Sequence, residues 1–386
     1  VYNGQEGPKL DLVADNTNPD FSSIDSYKKY RVLLQNLQTP TDMFDLKAIG
    51  ASVDFDDVYD PVTDRYWVGG TGNWSDAATH WAATSNGLPG AGNLPVNGDN
   101  VIFDASSGTG TVTIDTASVS MLNVTESSAN ITIATSTNGL TVTGDLYVAG
   151  TISGATAVTM SGADKTVSGG GTISAPLNLT GTTPRITSSM TFSDLTKTTT
   201  TADGIFFTAG TTQTIASGGS ITLYGAASNL LSVSSSDSAV FTINFADATA
   251  SYAIGYVSMS YVTASGQNIL AINSTNAGNN GGITFASATS GTLRYWIATT
   301  STTWNSTANW STTSGGAGGS SVPTTTSDAI FDGNGNGACA IDAAASVKGL
   351  YLAGYAGTVT QNSGITVTVG ADNYLQGSGT FTGSSG

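Results

Sequence analysis

The chain has 386 residues and a formal net charge of −16, with 10% charged residues, 48 glycines, one histidine and one cysteine. That length suffices for two or three domains with buried cores. The acidic balance argues against nucleic acid and anionic membrane surfaces, which call for clustered Lys and Arg, and a lone cysteine excludes an internal disulfide framework or a cysteine-rich zinc site.

Residues 1–64 differ from the rest and are expected to form an N-terminal attachment or adaptor segment. Through Arg65 the chain holds six of its eleven basic residues and twelve of its twenty-seven acidic ones. It also holds the one plausible helix, near Ser23–Leu37, where Ser23 can cap but Tyr-Arg-Val-Leu-Leu reads nearly as well as a strand. The run ending at Asp64 places Asp54, Asp56, Asp57, Asp60 and Asp64 within eleven residues. Such oxygen-rich loops bind Ca²⁺, and calcium is the one cofactor the sequence raises; a solvated acidic linker fits the composition too, since the glycine and terminal glutamate of an EF-hand are missing.

From Arg65 the character changes to short alternations of Val, Ile, Leu or Phe with Thr. Disordered chains lack these, so the expected fold class is all-β, in elongated β-solenoid or β-helix-like modules of short strands. Thr and Ser would face water, and Gly and Asn would make the turns. A first module spans 65–292. Strands are expected at Thr111–Ile114, Leu122–Val124, Ile131–Ile133, Leu140–Val142, Leu146–Val148, Val158–Met160, Leu177–Leu179, Ile205–Phe207, Ile221–Leu223, Phe241–Phe245, Tyr256–Val262 and Ile269–Ile272. Leu122, Ile131 and Leu140 recur every nine residues, as do Val124, Ile133 and Val142. A second module, 293–386, repeats only the beginning of the first: Gly364–Thr368 matches Gly139–Thr143, and nothing corresponds to 155–292. The expectation is a natural chain longer than 386 residues, which intact mass would decide. No apolar run approaches the ~18 residues of a membrane span, so no insertion is expected.

All six tryptophans mark the two module starts. Arg65-Tyr66-Trp67-Val68 is followed by Trp74, Trp81, Pro95, Asp99, Phe103-Asp104, Ile114-Asp115 and Leu122. Arg294-Tyr295-Trp296-Ile297 is followed by Trp304, Trp310, Pro323, Asp328, Phe331-Asp332, Ile341-Asp342 and Leu350. The string from Arg65 to Asp76, RYWVGGTGNWSD, with the Asn273–Gly282 segment before the next Arg-Tyr-Trp, resembles a repeat of modular phage and prophage proteins and of large secreted bacterial surface proteins. The resemblance covers about 65–386 and implies a virion or extracellular setting and a β-rich, elongated shape. In the second copy Ile297–Thr300 replaces the Val68-Gly-Gly-Thr71 turn.

Exposed indoles stack on sugar rings, which makes Trp74, Trp81, Trp304 and Trp310 the glycan-binding candidates; the competing reading makes them the cap that seals each module. Asp104, Asp115, Asp332 and Asp342 follow apolar residues, where a carboxylate can cap turn N–H groups. Asp332–Gly337 is a second, weaker Ca²⁺ candidate. Catalysis finds little support: His80 has Asn309 at its place in the other copy, Cys339 lies in a Gly/Ala-rich edge, and no nucleophile elbow appears. Paired carboxylates of a polysaccharide-cleaving enzyme are the third reading, against which most Asp positions recur in both modules. The expected function is a structural virion component (tail, fibre or decoration protein), a homo-oligomer held to other virion proteins through 1–64, with host glycans as a partner. The alternative is a bacterial extracellular adhesin or filament subunit.

Overall fold

The computed structural model describes residues 62–117, 119–128, 130–286 and 291–384, and Val62–Gly386 forms one compact unit. The expected helix at Ser23–Leu37 lies outside the described residues. Among these, the one α-helix is the four-residue Ala77–His80; nearly all other regular structure is strand.

The strands arise from simple alternation. In Ile131–Ala134, Leu140–Val142 and Val158–Met160 the aliphatic side chains are buried and the threonines half-buried. Successive side chains of a strand point to opposite faces, so one face becomes core and the other meets water. Leu140–Val142, Leu146–Val148, Val158–Met160, Leu177–Leu179 and Phe241–Phe245 keep the bounds that the alternation implies, and the all-apolar Ile269–Ile272 keeps its expected bounds too. Others shift: Thr111–Ile114 becomes Gly110–Thr113, and Ile221–Leu223 lies inside the longer Thr212–Tyr224. Leu122 lies between the strands Val119–Met121 and Val124–Glu126 rather than opening one. The stretch Tyr256–Val262 divides into Val257–Ser260 and Val262–Ser265, because Tyr256 and Tyr261 take left-handed φ values of 50° and 59° that no continuous strand accommodates.

Pairing is parallel and skips the two intervening strands. Val124 pairs with Val101 and Leu146, Ile133 with Val112 and Ile152, and Val142 with Met121 and Met160. The nine-residue steps of the sequence therefore lead from one ladder to the next, while stacking neighbours lie about two ladders further along. Three ladders surround one apolar interior that runs from Trp67 to Ala271. One ladder is an 11-stranded sheet. The other two merge into a 16-stranded sheet, because Met190–Thr198 and Thr212–Tyr224 bend and belong to both. Parallel sheets are usually covered on both sides; here the outer side carries hydroxyls. Thr111, Thr132, Thr151, Thr172, Thr191 and Thr214 form one unbroken column.

The second copy repeats this plan with its own interior around Trp296, Phe331 and Leu352. Its strands Thr292–Trp296, Ser327–Asp332, Gly349–Ala353 and Tyr374–Gln376 form a ladder whose outer side faces the first copy. There Tyr295, Ile330, Tyr351 and Ala353 pack on Leu270, Ile272 and Ala286. Strands at this joint lose their alternation: Ser251–Gly255, Ile269–Ile272, Ser327–Asp332 and Gly349–Ala353 are buried at every residue. The backbones themselves touch. Tyr252 N–H donates to the Gly354 carbonyl (3.1 Å), and Gly333 N–H donates to the Tyr252 carbonyl (2.7 Å). A Cβ on Gly354, which also has φ +97°, would overlap that carbonyl oxygen.

Candidate functional site

The tryptophan clusters come first in the chain. Ser75-Asp76 leads into the short helix, and the chain returns at Trp81 to pair antiparallel with Trp67. Trp74 and Trp81 meet edge to face at 4.9 Å, and Trp81 Nε1 donates to the Trp74 carbonyl (2.7 Å). Trp304 and Trp310 repeat both features at 4.8 Å and 2.8 Å. All four indoles are at most 2% exposed. This corrects the glycan-platform expectation for Trp74, Trp81, Trp304 and Trp310: stacking on a sugar needs an open ring face, and these faces are spent on one another and on Phe103 or Phe331. His80 stacks on Trp67 (4.4 Å between ring centres, 5° between planes), with Nδ1 2.8 Å from the Val68 carbonyl. Asn309, its counterpart, donates to the Thr303 carbonyl instead. Cys339 is buried, and burial pushes its thiol well above the usual range.

Of the acidic run, Asp54, Asp56, Asp57 and Asp60 lie outside the described residues, and Asp64 accepts from Asn100 Nδ2 (2.8 Å). No cluster of three or more His, Cys, Asp or Glu able to hold a metal exists among the described residues. Asp104 caps the turn at Ala105–Ser107, and Asp115 accepts from both Ser75 N–H and Oγ. In the glycine-rich Asp332–Gly337 segment, Asp332 accepts from Ser314 Oγ (2.6 Å) and Asn334 N–H (3.0 Å). Burial pushes its pKa up to about 6.

Two charged side chains sit where the alternation calls for aliphatic ones. Glu126 lies in a core column between Phe103 and Val148. Its Oε2 accepts from Gly150 N–H, its Oε1 has no partner, and burial raises its pKa to about 7. Lys197, beside Leu223 and 1% exposed, donates to the Gly181 carbonyl (2.6 Å) and to Asp203 Oδ2 (2.5 Å). Asp203 Oδ1 accepts from the Thr183 and Gly204 amides. Burial works against the charged Asp203 carboxylate, but these donors outweigh it and hold the group below the usual carboxylate range.

Asp203 also borders a groove of about 710 Å³ between the two copies. One wall carries Thr180, Thr182, Thr198–Thr201 and Thr222; the other carries Leu293, Tyr295, Thr312–Ser314 and Asn334. Tyr224 and Tyr256 lie between them. Tyr224 and Tyr295 share a hydroxyl–hydroxyl hydrogen bond of 2.7 Å, and the Tyr256 ring meets Tyr224 edge-on at 5.8 Å. Sequence reasoning missed this groove because its two walls are about a hundred residues apart. The retrievable signals were Lys197, which breaks an aliphatic phase, and Tyr256, which falls at a corner where the next layer has Asn273.

No family model matches the chain, and no curated protein or solved structure is significantly similar to it.

Proposed function

We propose that this chain is a structural component of a phage virion (tail, fibre or decoration protein) whose three stacked ladders form a β-solenoid, and that it works by presenting a rigid β-rich body outward. The observation that carries this reading is the unbroken interior from Trp67 to Ala271, built from in-register parallel rungs. Each rung buries several aliphatic side chains, each contributing about 1.5–3 kcal/mol relative to exposure. Rungs contact only their neighbours, so length is gained without a larger cross-section. The hydroxyl-bearing outer columns suit a solvated scaffold. In this reading residues 1–64 are the attachment region, and Trp67–Trp81 with its antiparallel return closes the first rung against edge-to-edge aggregation. Self-association into a homo-oligomer and a virion or cell-surface location belong to the same proposal. The bacterial adhesin or filament reading remains the alternative, favoured by the groove rather than by the tryptophans.

Mass spectrometry of purified phage particles tests the choice. The expected result is this chain at stoichiometric abundance in the virion; its absence from particles, with recovery in the bacterial surface fraction, would reverse the order of the two readings.

A further inference from the structure

We propose that the groove between the two modules binds a neutral saccharide, with the ring of Tyr256 as its stacking platform. The volume of about 710 Å³ lies in the range of small-ligand sites. What distinguishes it from an incidental crevice is Tyr256. Its φ of 50° is a conformation that bulky residues avoid and that Asn tolerates. The residue after the paired strand end one rung on is Asn273, with φ 54°. The corner therefore needs the left-handed backbone, and asparagine supplies it without strain. Main-chain bonds at Tyr256 (N–H to the Ile272 carbonyl, and its own carbonyl accepting from Leu231, both 2.9 Å) would be made by any residue. The phenol hydroxyl makes no hydrogen bond to a described residue, and the ring is half-buried at the groove. Strain kept at a concave surface points to a role for the side chain itself.

The chemistry of the walls sets the ligand class. Threonine hydroxyls at Thr198, Thr200 and Thr312 and the amide of Asn334 offer both donors and acceptors. No Lys or Arg lines the groove, and both Asp203 oxygens are already engaged. Such a wall has no counter-charge for an acidic glycan. It suits a ligand with many hydroxyls and one C–H face, which is a neutral pyranose laid on an aromatic ring. The inference rests on the outward-facing scaffold reading for the source of the saccharide, though the groove is tested on the purified chain and the scaffold on particles, so either can fail alone.

The test is calorimetric titration and saturation-transfer NMR of the full chain with cellohexaose, maltohexaose and mannohexaose, with oligogalacturonate as the acidic arm and an uncharged decapeptide as the peptide arm. At least one neutral hexasaccharide is expected to bind. Tyr256→Asn should weaken it by about tenfold or more, as loss of an aromatic anchor does, without lowering the melting temperature. Ala227→Trp, at an exposed lining position, should block binding, and Tyr147→Ala, on the 11-stranded sheet, should leave it unchanged. Silence with all three hexasaccharides, preference for the acidic or peptide arm, or binding indifferent to both groove substitutions overturns the proposal. So does a sharp loss of stability in Tyr256→Asn, because the ring would then be a packing element.

Discussion

At the residue scale, Glu126 shows what the interior tolerates. The equivalent position of the second copy, set by the pairing of Phe103 with Glu126 and of Phe331 with Leu352, holds an aliphatic side chain. Burying a carboxylate is costly, so burial raises its pKa from 4.5 to about 7 and the group is protonated below that pH. The sign follows from linkage. A group whose folded pKa is raised stabilises fully below its unfolded pKa, and that contribution is lost as pH rises through the folded value. Stability due to Glu126 should therefore decline between about pH 4.5 and 7. Asp332 adds a smaller decline toward about 6. Glu126→Gln, which cannot ionise, should flatten most of this slope; denaturation midpoints at pH 5 and pH 8 measure it, and an unchanged difference between the two would refute the account. The Lys197–Asp203 pair acts oppositely at low pH: Asp203 is held below its ordinary range, so its contribution falls away as acid protonates it.

At the element scale, most of the strands were legible and the joint was not. Leu140–Val142 or Val158–Met160 could be read because each has one wet and one dry face, which leaves a period of two in the sequence. Gly349–Ala353 (GLYLA) and Ser251–Gly255 (SYAIG) have two dry faces, and that removes the period. The nine-residue recurrence was real but marked the passage between ladders, since spacing alone does not say which strands are neighbours. The tryptophans carried two readings, glycan platform and module cap, and their burial agrees with the second. Calcium at Asp54–Asp64 falls for the most part outside the described residues, and the groove needed two distant segments to be brought together. At the joint, backbone meets backbone, and Gly354→Ala puts a methyl group onto the Tyr252 carbonyl at a φ of +97°. It should destabilise the protein by several kcal/mol, the combined cost of overlap and a left-handed non-glycine residue. Chemical denaturation is the measurement. A change below about 0.5 kcal/mol, the size of an ordinary surface substitution, would mean that the two copies do not pack as described.

At the scale of the whole molecule, the stacked design predicts that a rung can be removed cleanly. Deleting residues 146–166 joins Asp145 to Val167, and Val167, Ile173 and Leu177 take the places of their present partners Leu146, Ile152 and Val158, so that they meet Val124, Ile133 and Leu140. Gly171 takes the place of Gly150 beside Glu126, since Thr151 pairs with Thr172. The shortened protein should fold, keep its circular dichroism spectrum per residue and lose only part of its stability, because neighbour-only stacks lose roughly one repeat and one interface term. A non-cooperative or unfolded product would show that the interior is a single indivisible core.

The glycines of the joint carry a further meaning for how such a chain is ordered. The incoming copy brings Gly333 and Gly354, and the receiving copy brings the backbone of Tyr252. At the matching places the first copy has Ala105 and Ser128, residues whose Cβ would stand against a receiving backbone. The two copies therefore share a motif but not a vacancy. The tandem has a grammar: one unit is written to follow and the other to be followed, and exchanging their order would leave a sentence that does not close.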